Sequence, residues 1–460
     1  MTTTTFDPTT TATSLATAYT ADAQTLLTNQ TTAAGSTAMA LSQLQAALSS
    51  FDGTLNNLSG KNSVLSQTAT FGDTSFGTAT ASATATPGNY SFFVQQLATA
   101  SQNVYANLSG VPTAQSGTLV VNQAGGASFS VDLTAADSNN DGTLTPTEIA
   151  TAINKASGND SLVTASLVTV GGQSQMVLSS NATGASGAIT LDTSGLAAGT
   201  LKSSLDGGSQ LVAAQDAIVW LGAQNTGIEL QQASNTYDAV GGVSITFNKA
   251  MTAGQAPVSL AVATDPTGTA ANLQSLVDAY NTLGGVLNSL TSTGDASNGV
   301  NAAIFANDSG VRTLRSKIDA AIRLSVGGVS LANYGVTADS DGTLSLDQSK
   351  LTAKLATNPD GLDTLLGSTN LGASSGVLGT LDVDMNQWTN ASTGQIKTRQ
   401  ESVTELQTSL ATRQTTLDTQ YNSAYSRYLT QFTQLQALQA QMSNTTSLFD
   451  ALFNTDTSSN

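Results

Sequence analysis

Cysteine and histidine are both absent from this 460-residue chain. Without thiols and imidazoles, the chain can form no disulfide, no thiolate zinc site, no cysteine nucleophile and no histidine-based catalytic triad. The lack of cysteine suits a protein that is threaded unfolded through an export channel, and drift in a cysteine-poor proteome explains it equally well.

Positive charge is scarce as well. The chain has 14 Lys and Arg against 31 Asp and Glu, which gives a formal net charge of −17. A protein that binds nucleic acid needs clustered Lys and Arg to neutralise phosphates. No run of basic residues occurs, so we expect no nucleic-acid partner.

Long apolar runs are missing too. No stretch approaches the ~18 residues that a membrane span needs, so we expect no membrane partner. The first residues lack the basic and apolar regions of a secretory signal peptide. We therefore expect that the protein either stays in the cytosol or leaves by a route that uses no such signal.

Both ends of the chain carry apolar residues at helical spacing. One stripe, spaced alternately by three and four residues, predicts a coiled-coil helix or an ordinary amphipathic helix equally well: Leu41, Leu44, Leu48, Phe51, Leu55 and Leu58. A second helix near the end has an apolar residue every seven positions and then a thicker apolar face: Ile396, Val403, Leu410, Leu417, Tyr421, Tyr428, Phe432, Leu435, Leu438, Phe449 and Leu452. Such an apolar end should have a partner, and we predict that these residues carry assembly.

The middle of the chain, from about 72 to 265, alternates short apolar runs with Gly, Thr, Ser and Asn, which predicts β-strands. The predicted fold class is α+β multidomain, with a helical, coiled-coil-like stem formed by both chain ends and inserted β-rich head domains. The predicted divisions are a terminal segment 1–40, disordered until assembled; a stem of 41–77 and 263–405; a head domain of 78–112 and 204–262; a second head domain, 113–203, inserted in the first; and a C-terminal helical assembly segment, 406–460.

One loop has the spacing of a calcium site. Asp137, Asn139 and Asp141 offer oxygens at positions 1, 3 and 5 of a twelve-residue EF-hand loop, Thr143 offers its carbonyl, and Glu148 ends it. The alternative is a turn followed by a helix-capping box, because the segment 145–148 reads Thr-Pro-Thr-Glu. Calcium is therefore a possible ligand, and we expect no required cofactor.

No catalytic arrangement stands out. An enzyme without His and Cys would need paired carboxylates or a Ser–Lys pair, and no spacing selects either. We therefore predict a self-assembling structural protein and not an enzyme.

Several segments resemble one known family in their order and spacing. They are residues 90–102 (YSFFVQQLATASQ), 240–247 (VGGVSITF), 276–281 (LVDAYN) and 335–347 (GVTADSDGTLSLD). Together they are similar to the flagellar filament-capping proteins, also called flagellar hook-associated protein 2.

The resemblance implies a cap at the distal tip of the bacterial flagellum. It implies a homo-oligomeric ring that retains exported flagellin and promotes its folding and polymerisation. It further implies contacts with hook–filament junction proteins, an export chaperone at the C-terminal helix, and an extracellular location reached through the flagellar type III apparatus. An alternative, compatible with capping, is a surface adhesin that uses the head domains. A calcium-dependent secreted repeat protein is disfavoured, because Gly-Gly-x-Gly-x-Asp arrays are absent.

Overall fold

The computed structural model describes residues 7–61, 63–370 and 373–454. The helices are α1 (Pro8–Ser59), α2 (Pro146–Lys155), α3 (Thr200–Asp206), α4 (Pro266–Thr291), α5 (Ser309–Ile322), α6 (Gln348–Thr357), α7 (Asp360–Leu366), α8 (Gly376–Thr389) and α9 (Gln395–Asn454). Short 3-10 turns lie at Thr113–Gln115, Leu133–Ala135, Ala185–Gly187, Ala296–Asn298 and Leu331–Tyr334.

The strands fall mostly between α1 and α4. They are β1 (Ser66–Phe71), β2 (Gly77–Ala81), β3 (Gly88–Gln96), β4 (Gln102–Leu108), β5 (Val111–Pro112), β6 (Thr118–Gln123), β7 (Ser128–Asp132), β8 (Thr143–Leu144), β9 (Val163–Val170), β10 (Gln173–Ser180), β11 (Ile189–Asp192), β12 (Ser209–Val212), β13 (Ala217–Leu221), β14 (Ile228–Gln232), β15 (Thr236–Val240), β16 (Val243–Phe247), β17 (Val258–Asp265), β18 (Ser325–Val326), β19 (Val329–Ser330), β20 (Val336–Ala338) and β21 (Leu344–Leu346).

The chain divides into two compact units. A helical unit comprises the residues up to Lys61 together with those from Ala270 onward, and a β-rich unit comprises Asn62–Thr269. Helices at both ends and a β-rich middle confirm the predicted α+β multidomain class. No helix in the described part of the chain combines the length and the apolarity that a membrane crossing requires.

The β-rich unit contains two apolar cores. The first lies between an antiparallel sheet of order β1-β17-β3-β13-β14 and a smaller sheet of order β15-β16-β2. Its centre is aromatic, because the ring of Phe247 lies 5.6 to 5.9 Å from the rings of Phe71, Phe92 and Tyr237. Such tilted ring pairs add to the free energy gained by burial alone.

The second core lies among the strands between β3 and β13. Its sheets have the orders β12-β4-β10-β9 and β11-β6-β7, and α2 and α3 pack against them. The β9–β10 hairpin turns at Gly171 and Gly172, both at positive φ, as a two-residue turn of this kind requires. Leu119, Leu133 and Ile153 are fully buried in this core.

The helical unit contains α1, the greater part of α4, and α5 to α9, with the hairpins β18–β19 and β20–β21. Helix α8 packs against α1, α5, α7 and α9. Its buried residues Leu378, Leu381, Met385 and Trp388 recur at intervals of three and four residues, which places them on one face.

We predicted that the terminal segment 1–40 is disordered until assembled, whereas residues 8–40 belong to α1 in the single chain. Residues 1–6 lie outside the described part of the chain. Asp7 caps the start of the helix, and its carboxylate accepts a hydrogen bond from the Thr9 backbone N–H at 3.0 Å. The many threonines are accommodated because their hydroxyls donate to carbonyls one turn earlier, as Thr25 does to Ala21 at 2.9 Å. Apart from Leu27, the buried residues in this part are small, mainly Ala and Thr, so the large apolar residues that mark a helix in sequence are few here.

The predicted domain boundaries also differ from those observed. Residues 63–77 and 263–269, which we assigned to the stem, lie in the β-rich unit because β1 pairs with β17. The second β core extends beyond the predicted insertion of 113–203, because β4 and β12 pair with each other. Both differences come from strand pairings that join residues more than 100 positions apart, and local patterns do not encode such pairings.

Candidate assembly surface

Helices α1 and α9 form an antiparallel pair within the helical unit. The side chains of Gln24 and Gln414 donate to each other at 3.1 and 3.0 Å, whereas Gln45 contacts Gln400 at 2.8 Å. A later residue of α1 therefore contacts an earlier residue of α9, as expected for antiparallel helices. These amide pairs are exposed and lie beside the seam between the two helices.

A heptad row on each helix forms the apolar part of this seam. On α9 the row is Ile396, Val403, Leu410, Leu417 and Ala424, and all of these except half-buried Val403 are buried. On α1 the buried Leu27, Ala34, Leu41, Leu48 and Leu55 also recur every seven residues. Leu27 and Ala34 form one buried cluster with Leu410 and Leu417.

The α1 row extends further towards the N-terminus than we predicted. We predicted a helical stripe only from Leu41 onward, and Leu27 and Ala34 also belong to it. The heptad interval from Leu27 to Leu55 is the signal that could have found them, since four successive steps of seven residues are unusual for an unstructured segment.

The predicted assembly residues fall into three groups by exposure. Those buried inside the helical unit are Leu41, Leu44, Leu48, Phe51, Leu55, Leu58, Ile396, Leu410 and Leu417. Those half-buried are Val403, Tyr421, Tyr428 and Phe432. Those exposed are Leu435, Leu438, Phe449 and Leu452. The first group holds the chain's own fold together, and the third group presents apolar surface on the outside.

The exposed group follows one face of the last part of α9. With Met442, it forms what we call the apolar stripe: Leu435, Leu438, Met442, Phe449 and Leu452. At 100° per residue these five positions fall within about 100° of arc. Leu435 is 41% exposed and Leu452 68%, so exposure increases towards the end of the helix.

The base of α9 is fixed by a polar contact to α5. The Arg399 guanidinium donates to both carboxylate oxygens of Asp308, at 2.7 and 3.2 Å, and its carbon lies 5.0 Å from the centre of the Trp388 ring. Burial by itself raises the pKa of Asp308, but hydrogen bonds from Arg399 and from the Val311 N–H outweigh it, so the pKa lies below its ordinary value. Sequence reasoning missed this contact, because its partners are 91 residues apart.

The predicted calcium loop is closed by its own hydrogen bonds. One carboxylate oxygen of Glu148 accepts from the Thr145 N–H and hydroxyl at 3.0 and 2.8 Å. The other accepts from the Ser138 N–H and hydroxyl, both at 2.9 Å. The bonds from Thr145, and then those from Ser138, lower the pKa of Glu148 to about 2. The capping-box interpretation is thus confirmed.

The other polar side chains of the predicted calcium loop also form hydrogen bonds within the loop. Asp137 accepts from the N–H groups of Asp141 and Gly142, and Asp141 accepts from the N–H of Thr143 at 2.7 Å. Asn139 donates to Asp141 at 3.0 Å. Over the ranges that the structure describes, no group of three or more acidic side chains is placed to hold a metal ion. Calcium binding stays a prediction.

Comparison with known proteins places these features in one family. Residues 4–101 match the family model of the flagellar hook-associated protein 2 N-terminus, and residues 214–444 match that of its C-terminus. The lateral flagellar hook-associated protein 2 of Vibrio parahaemolyticus is 34% identical over 380 residues, which cover 81% of this chain and 83% of that protein. The flagellar hook-associated protein 2 of Escherichia coli K12 is 29% identical over 455 residues, which cover 94% and 93%.

A solved structure supports the same grouping. The crystal structure of the D1-D2-D3 domains of the flagellar cap protein FliD from Escherichia coli matches with a TM-score of 0.61 and 26% sequence identity. The match covers 79% of this chain and 99% of that one.

Proposed function

Because this chain belongs to the flagellar hook-associated protein 2 family, we propose that it is the structural cap at the distal end of the bacterial flagellar filament. Copies of the chain form an oligomeric ring that retains exported flagellin and promotes its folding and polymerisation. The single observation that carries this proposal beyond the family is the apolar stripe, a face of α9 that is exposed in the single chain. Such a surface is typical of a protein that is completed by partners.

The stripe assigns different tasks to the two parts of α9. Up to about residue 430 the helix packs against α1 and belongs to the fold of the single chain. Beyond that point the stripe contacts other molecules: further copies, flagellin and the hook–filament junction proteins. The same face binds an export chaperone before secretion, because a chaperone that covered it would prevent premature assembly.

We further propose where the protein acts and that it has no catalytic role. The protein is exported by the flagellar type III apparatus and acts outside the cell, without nucleic-acid or membrane partners. It has no enzymatic activity and needs no cofactor. The composition supports this view, since the absence of His and Cys removes most catalytic chemistry.

Deletion of the gene in its own bacterium tests the proposal. We expect short or absent filaments and monomeric flagellin in the medium, and we expect both defects to be repaired by the intact gene supplied in trans. Filaments of normal number and length in the deletion strain, with no flagellin released, would show that the chain does not cap filaments.

A further inference from the structure

Helix α5 carries an unusual concentration of positive charge. Four of the 14 basic side chains in the chain lie within residues 312–323, where the only acidic residue is Asp319. The whole chain has a net charge of −17. This short segment therefore reverses the sign of charge that prevails elsewhere.

Three of the four basic residues share one face of the helix. At 100° per residue, Arg312, Arg315 and Arg323 lie within about 80° of arc, and we call these three residues the basic face. Lys317 points elsewhere, and its ammonium contacts Asp384 at 2.9 Å. It is thus already neutralised within the helical unit, unlike the basic face.

No direct ion pair joins the basic face to an acid in the part of the chain that the structure describes, although Asp319 lies one turn from both Arg315 and Arg323. The ion pairs found there involve other residues. Arg312 donates to the backbone carbonyl of Asn307 at 3.5 Å, and Arg315 donates to the side-chain oxygen of Asn288. Like charges one turn apart repel each other along a helix. Three arginines on one helix face, in a chain with more than twice as many acids as bases, point to a use outside the single chain.

The acid on the same face, Asp319, also accepts a hydrogen bond from α4. The Tyr280 hydroxyl donates to Asp319 at 2.7 Å, and burial, followed by this bond to a carboxylate, raises the pKa of Tyr280 to about 12. Asp319 is therefore held against α4. Arg315, Arg323 and Asp319 line a cleft of about 380 Å³ between α5 and the hairpin β20–β21. The wall of this cleft also includes Ala338 and Leu344. A cleft with charged and apolar walls fits protein side chains better than a free ion.

We propose that the basic face and this cleft bind an acidic surface of a second copy of the same chain. The inference rests on the proposed function, which requires copies to assemble. Molecules with a charge of −17 repel one another unless their few cations lie at the contacts. Each copy has many acidic side chains that could bind the basic face, because the β-rich unit alone has 12 acidic side chains and three basic ones.

The geometry of such a contact also suits a ring. A basic surface that binds a different, acidic surface makes a head-to-tail interface. Head-to-tail interfaces generate closed rings when the rotation between copies closes. A two-fold symmetric contact would instead place the basic face against itself, and repulsion between the guanidiniums opposes that arrangement.

Sedimentation equilibrium of the full-length chain at 50 and 500 mM NaCl tests the proposal. The variant R312Q/R315Q/R323Q is compared with K155Q/K249Q/K350Q, which removes the same charge at exposed positions elsewhere. We expect wild-type association to weaken at high salt. At low salt, we expect the arginine variant to associate at least about tenfold more weakly than the lysine variant and to lose the dependence on salt. Equal unfolding midpoints would show that both variants are folded.

Equal association of the two variants at low salt would overturn the inference, and so would wild-type protein that stays monomeric throughout. The proposed function is decided separately, by whether the wild-type gene restores filaments to a deletion strain. If filaments return while the arginine variant associates normally, the cap function stands and the basic face is not its interface.

Discussion

Asp52, on α1, is a carboxylate whose surroundings oppose its charge. One of its oxygens accepts a hydrogen bond from the Asn56 amide at 3.2 Å. The other oxygen is buried and has no hydrogen-bond partner among the described residues. Burial first, and then repulsion by Asp382, raises the pKa of Asp52 above the ordinary value of 3.8. The ionised carboxylate is therefore less favourable in the folded state than in the unfolded state, and it lowers the free energy of unfolding.

We predict that Asp52→Asn raises the unfolding midpoint of the helical unit at pH 7. The advantage should shrink as the pH falls through the raised pKa towards 3.8, because the wild-type carboxyl then becomes neutral in the folded state too. Trp388 fluorescence in a Trp220→Phe background reports the helical unit alone, since the chain has two tryptophans. Asp22→Asn, an exposed acid on the same helix, is the control. An identical midpoint for Asp52→Asn and wild type at pH 7 would contradict the prediction.

Glu148 is the opposite case, because its surroundings favour the charge. Its folded-state pKa of about 2 lies below the ordinary 4.5. Its contribution to stability is thus fully present above pH 4.5 and is lost as the pH falls from 4.5 towards 2. We predict that Glu148→Gln lowers the stability of the β-rich unit at pH 7 and that this difference disappears near pH 2. Calorimetric unfolding across this range measures it, with the exposed Glu229→Gln of the same unit as the control.

At the scale of elements, the α1–α9 pair separates residues that hold the fold from residues that serve assembly. Leu410 is buried against Leu27 and Ala34, whereas Leu438 is 54% exposed. We predict that Leu410→Ala lowers the free energy of unfolding of the helical unit by about 2 to 5 kcal/mol. Leu438→Ala should change it by less than about 0.5 kcal/mol and should still reduce filament number in a deletion strain. Urea titration measures the stability of both variants, and filament counts measure their assembly. Equal losses of stability would contradict the assignment of Leu410 to the fold and Leu438 to assembly.

The same pair shows what the sequence could and could not predict. The stripe from Leu41 to Leu58 and the heptads of α9 were predictable, because large apolar residues recur at helical intervals. The first 30 residues of α1 were not recognised, since their buried positions are mostly Ala and Thr. The contact from Arg399 to Asp308 was out of reach for a different reason: it depends on the tertiary packing of three helices, which local spacing does not encode.

At the scale of the whole molecule, the two kinds of surface suit different events. The apolar stripe gives contacts that salt does not screen, whereas salt screens the attraction between the basic face and acids that lie more than a Debye length away, about 8 Å at physiological ionic strength. In the proposed ring, apolar contacts would hold a copy to its partners, whereas electrostatic contacts would orient copies as they approach.

The end of α9 carries the exposed apolar stripe. Gln24 on α1 pairs with Gln414 on α9, so Pro8, where α1 begins, corresponds to about residue 430 for two helices of equal rise per residue. Removal of residues 434–460 should leave the unfolding midpoint of the helical unit unchanged and should abolish capping in a deletion strain. Serine at Leu435, Leu438 and Met442 of the apolar stripe, and at Leu448, which is 68% exposed beside it, should have the same effect without shortening the chain. Serine at Gln434, Gln439, Gln441 and Thr446 should have none, because these side chains are polar already. If the truncated chain restored full-length filaments, assembly would have to reside in the rest of the molecule.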